Sequence, residues 1–70
     1  MKYIVSITFN NHTEYIAEGR NYTVNGSTYV PFTERMNEAK RYKTYNLAER
    51  ASERRGENMC GRINIVEVEE

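Results

Sequence analysis

Residues 2–9 alternate in character. Tyr3, Val5, Ile7 and Phe9 fall on one side and Lys2, Ser6 and Thr8 on the other, with Ile4 the exception. A period of two over this length predicts a half-buried β-strand. Asn10-Asn11-His12 reads as a turn, because asparagine tolerates positive φ and bonds its own backbone. Thr13 to Glu18 then returns as a second strand. After the break at Gly19-Arg20-Asn21, the stretch Tyr22 to Val30 carries Asn25-Gly26 between β-rich flanks. A type I′ turn needs positive φ at both central residues, so this dipeptide is a strong hairpin signal. It predicts the pairs Tyr22 with Tyr29 and Thr23 with Thr28. Pro31 ends that strand or holds it at an edge.

The period changes further on. Thr33 to Ala39 allows one short helical turn capped by Thr33. Thr44 is the better cap, and Tyr45 to Arg55 holds good helix formers with Leu47, Ala48 and Ala51 on one stripe. Arg54 and Arg55 suit the negative end of that helix, and Gly56 is the expected residue just past it. Arg62 to Glu69 is a last strand. Its Ile63 and Ile65 share one face and Val66 and Val68 the other, a pattern expected of a central strand. The order β-β-β-β-α-β predicts an α+β fold: an antiparallel sheet of four to five strands with one helix packed on one face. Residues 1–70 read as a single domain, without internal repeats or a linker.

Length and composition sharpen this. A domain of 70 residues buries only about 60% of its unfolded surface, and its core supplies on the order of 3–5 kcal/mol. One Leu, two Phe and no Trp leave six tyrosines as much of the large apolar surface. A homodimer that buries more of that surface is compatible with so thin a core. Formal net charge is zero, but Glu34 to Arg55 carries seven Lys/Arg against four Glu, and Gly56 to Glu70 one Arg against four Glu. Such a dipolar domain can dock a partner through either pole. Overall neutrality argues against strong non-specific nucleic-acid binding, which needs several uncompensated cations. The single cysteine, Cys60, and the absence of a signal-peptide pattern or long apolar run point to a reducing compartment, the cytoplasm, and to no membrane partner.

The chain has no Asp and no Gln, and His12 is its one histidine. A Ser-His-Asp triad is therefore excluded within one chain. No His/Cys pair has zinc-site spacing, and no Gly-rich phosphate loop is present, so the reading is non-enzymatic, with no metal and no cofactor. What remains is the basic group Lys40, Arg41 and Lys43, with Arg50, Arg54 and Arg55 further on and Tyr42 and Tyr45 interleaved. Arg and Tyr together are typical of binding hot spots and also of platforms that stack bases. Against this, Glu34, Glu38, Glu49 and Glu53 are interspersed with these cations, as on an ordinary solvated face.

The run Glu38-Ala39-Lys40-Arg41-Tyr42-Lys43-Thr44, with Phe32-Thr33 before it and Ala48, Ala51, Gly56 and Ile65-Val66-Glu67-Val68-Glu69 after it, resembles small proteins of bacteriophages and prophages. The resemblance covers about half the chain and encodes an architecture: a capping Thr, alanines packed on a sheet, an alternating last strand. It carries over no catalytic residue. It implies an inhibitor of a host defence protein acting by occupying a surface in the cytoplasm of the host bacterium, with anti-CRISPR proteins as the sharpest version. The partner would then be a host protein or nucleoprotein complex, bound through Lys40, Arg41, Tyr42, Lys43, Arg54 and Arg55. An alternative surface is the acidic tail, with Glu67, Glu69 and Glu70 standing in for phosphates. The rival function is a small nucleic-acid-binding accessory protein using the same cations.

Overall fold

The computed structural model describes residues 1–53 and 61–69. Arg54, Arg55, Gly56, Cys60 and Glu70, and the expectations attached to them, lie outside the described residues. The chain folds as an α+β domain. Strand β1 (Lys2–Phe9) turns at Asn10 and Asn11 into β2 (His12–Ile16), and both asparagines take the positive φ that the tight turn requires (49° and 64°). His12 is thus the first residue of β2, paired with Phe9, and not part of the turn. The second hairpin, β3 (Tyr22–Val24) and β4 (Ser27–Tyr29), turns at Asn25 and Gly26, with φ of 51° and 83°. It has the predicted register, Tyr22 opposite Tyr29 and Thr23 opposite Thr28. The two tyrosine rings stack at 5.6 Å between centroids.

Next come β5 (Phe32–Thr33), a 3₁₀ turn at Met36–Glu38, helix α1 (Tyr45–Glu53) and β6 (Arg62–Val68). The main sheet is antiparallel with order β5-β2-β1-β6, and β3-β4 forms a separate two-stranded sheet. Two expectations are corrected. The second hairpin does not extend the main sheet, because the chain leaves β2 at Ala17, where the Ala17 N–H donates to the Pro31 carbonyl. The last strand is an edge strand and not a central one. β1, with Ile4, Val5 and Ile7 all essentially inaccessible, takes the centre instead.

Thr44 caps α1 as predicted, its hydroxyl accepting from the Leu47 N–H at 3.2 Å. The 3₁₀ turn is instead preceded by Arg35, without a side-chain cap. The Thr33 hydroxyl accepts from the Arg35 N–H one step earlier. The helix lies over the face of β1 that carries Val5 and Ile7. Ala48 is the helix's buried residue, and with Ile16 and Val30 these side chains form the core. An alanine at the contact lets the helix approach the sheet closely. On the other face Ile4 and Ser6 are buried, and the Ser6 hydroxyl donates to the Asn64 carbonyl.

Candidate functional site

The run 39–42 sits in a gap of the sheet. Where β2 departs, the Lys40 N–H donates to the Ile16 carbonyl, and Tyr42 exchanges both of its backbone hydrogen bonds with Tyr3 at 2.8 and 2.9 Å. The chain is thus pinned alongside β1, and the side chains of 40–43 are delivered to the margin of the helix-covered face. They close one wall of a concavity of about 480 Å³. Asn21 and Val30 at the base of the second hairpin form another wall, and Leu47, Arg50 and Ala51 of α1 the third. The size lies within the range of ligand pockets, roughly 300–1,000 Å³.

Each basic residue has a different role. The Arg41 guanidinium donates to the carbonyls of Met36 and Ala39, both at 2.9 Å. It clamps the 3₁₀ turn to the 39–42 segment, so it has a structural role as well as a place in the lining of the concavity. Arg41→Ala is therefore predicted to cost about 1–2 kcal/mol, since it abandons two carbonyl acceptors of a charged donor. Equilibrium urea unfolding measures this. Lys40 places its ammonium 5.4 Å from the centroid of the Tyr42 ring, a cation–π contact worth about 0.5–1 kcal/mol when exposed. Lys43 and Arg50 have no ion-pair partner among the described residues. Burial, and then the Glu18 carboxylate, push the Tyr42 phenol above its ordinary value. The hydroxyl is consequently a neutral donor at physiological pH.

The four glutamates that looked interspersed with these cations are elsewhere. Glu38 pairs with Arg35 at 3.3 Å, and Glu34 with His12 at 3.4 Å, where His12 also meets Glu14. Glu49 and Glu53 lie across the helix. At 100° per residue, Ala48 facing the sheet puts Leu47, Arg50 and Ala51 on one flank of α1 and Tyr45, Glu49, Ser52 and Glu53 on the other. A second hollow of about 600 Å³ is lined by those four together with Ile63, Asn64 and Ile65. The helix divides one sheet face into a cationic and an acidic side.

Of the residues expected to bind, Lys40, Arg41, Tyr42 and Lys43 are brought together, and Glu67 and Glu69 are exposed at the end of β6. Arg50, grouped with these cations in the sequence, also lines the concavity, whereas Leu47 was missed as a site residue. Leu47, the chain's one leucine, was expected in the core but is 45% exposed and lines the cationic concavity. Among the described residues no group of three or more His, Cys, Asp or Glu is placed to hold a metal ion. No described helix is long and apolar enough to cross a membrane. Comparison of the chain with family models, curated proteins and solved structures finds no match.

Proposed function

We propose that the protein is a non-enzymatic binding domain that occupies the surface of another protein through the cationic concavity. The observation that supports this is the convergence of Lys40, Lys43 and Arg50 on an apolar floor of Ile16, Val30, Leu47 and Ala51, with Glu34 and Glu38 engaged elsewhere, Glu49 and Glu53 across the helix, and Glu18, among the described residues, the one carboxylate felt by Tyr42. Such a surface suits an acidic side chain flanked by an apolar one: the floor takes the apolar group, and the cations take the carboxylate. The Tyr42 hydroxyl adds a neutral donor. The phage-protein resemblance of residues 32–69 suggests the setting, the cytoplasm of a host bacterium with a defence protein as target. An anti-CRISPR inhibitor is the sharpest form of that reading.

The test uses a short peptide alternating glutamate and isoleucine, followed by backbone amide shifts. It should perturb Lys43, Leu47 and Arg50. The Lys43→Glu/Arg50→Glu variant should keep the fold and weaken binding by at least about tenfold. Arg41 is left in place because of its structural role. If a single-stranded oligonucleotide binds more tightly than the peptide, with affinity falling steeply as salt rises, the nucleic-acid function replaces this one.

A further inference from the structure

The two edges of the main sheet are finished differently. On one side the terminal strand β5 is only Phe32–Thr33, directly after Pro31, a short edge that resists further pairing. On the other side β6 runs from Arg62 to Val68. It pairs with β1 in one unbroken register and contains no Pro, no Lys and no bulge. Among the described residues no backbone hydrogen bond reaches its outer side.

The groups that face outward there follow from the ladder. Bonded pairs alternate along an antiparallel strand. Tyr3 spends both its backbone groups on Tyr42, so Ile4, Ser6 and Thr8 turn theirs toward β6. Their partners Val66, Asn64 and Arg62 face inward. The N–H and C=O of Ile63, Ile65 and Glu67 therefore point out. The side chains of the same three residues lie on the helix-covered face, beside the hollow bounded by Glu49, Ser52 and Glu53. Neither Glu49 nor Glu53 has an ion-pair partner among the described residues.

We infer that the outer edge of β6 takes up an extended, alternately basic segment of a partner polypeptide, which adds a fifth strand to the sheet. Main-chain bonds to Ile63, Ile65 and Glu67 supply the pairing. Cationic side chains on the helix side meet Glu49, Glu53 and Glu67, and the intervening residues extend the other face past Val66 and Val68. A second copy of this chain fits poorly. Two-fold pairing of β6 with itself about Ile65 merges the two acidic hollows and brings the Glu49 and Glu53 carboxylates of the two copies together, an unfavourable like-charge juxtaposition.

A short peptide alternating lysine and isoleucine is the probe, titrated into isotope-labelled protein. The amides of Ile63, Ile65 and Glu67 should shift and exchange more slowly with solvent, while the matching glutamate–isoleucine peptide leaves them unchanged. Glu49→Lys/Glu53→Lys changes only exposed helix positions and should weaken the lysine peptide by about tenfold. Glu67→Pro removes an outward N–H without touching the β1 ladder, so it should abolish the slowed exchange while circular dichroism stays native. The inference is overturned if the lysine peptide leaves these amides unmoved. It is equally overturned if both peptides act alike, or if the three amides become protected with rising protein concentration alone, which would make the occupant a second copy.

Discussion

Ile7→Ala is expected to leave most of the chain unfolded at room temperature. Ile7 is 1% exposed, at the centre of the cluster that joins β1, β2, the second hairpin and α1. Truncating a buried isoleucine costs about 2–5 kcal/mol, the transfer term plus the cavity left behind. The whole core of a domain this small supplies only about 3–5 kcal/mol. The loss therefore matches the stability, and few neighbours can relax into the space because β1 is held on both sides by hydrogen-bonded strands. Far-ultraviolet circular dichroism against temperature should show no cooperative melt, or one displaced to low temperature. Leu47→Ala is the informative control. Its side chain is nearly half exposed, so it should melt close to wild type, although the sequence pattern assigns both residues to the core.

The second large effect is expected at Gly61. A Cβ there would fall on the Thr8 carbonyl oxygen and lie 3.1 Å from Ile7 Cγ1. The obstructing atom belongs to the backbone of the central strand, so no side-chain rotation relieves the contact. Gly61→Ala must push the start of β6 off β1, at a cost of about 3 kcal/mol, the upper part of the usual range for overpacking. The damage should be polarised. Amide exchange should accelerate at the Thr8–Arg62 end of the ladder, while the Lys2–Val68 end keeps more of its protection. Uniform acceleration would mean that the close approach at Gly61 is not what sets the register.

Much of this fold was legible because local rules and tertiary packing agree. Asn25-Gly26 set a hairpin whose register needed no other information, the Lys2–Phe9 alternation picked out the core face, and Thr44 marked the start of α1. The failures occurred where longer-range pairing decides. Val66 and Val68 on the second face of the last strand suggested burial on both sides, and so a central place. Yet Ile4 across the ladder from Val66 shows that this face is also lined with apolar groups at a sheet edge. Leu47 was placed on the core-facing stripe with Ala48 and Ala51. In a helix seated on Ala48, however, the neighbouring position turns 100° away, and only the seating residue distinguishes the two outcomes.

The candidate site was half legible for the same reason. Lys40 to Lys43 stand together in the sequence, but the contribution of Arg50 and the removal of Glu49 and Glu53 depend on which face of α1 meets the sheet. Chain order suggested a basic middle and an acidic tail. The folded arrangement follows the helix instead, with cations on its hairpin side and carboxylates on its β6 side. Arg41 shows the converse: a basic residue in a basic run that turns inward to bind carbonyls and stabilises the segment that carries the others.

The division of one sheet face by α1 into a cationic and an acidic docking side is tested most directly by titrating one labelled sample with the two alternating peptides in turn. The account predicts two separate footprints. The glutamate peptide should move Lys43, Leu47 and Arg50, the lysine peptide should move Ile63, Ile65 and Glu67, and both footprints should shrink as salt is raised. A single shared footprint for the two peptides, or none for either, would contradict it.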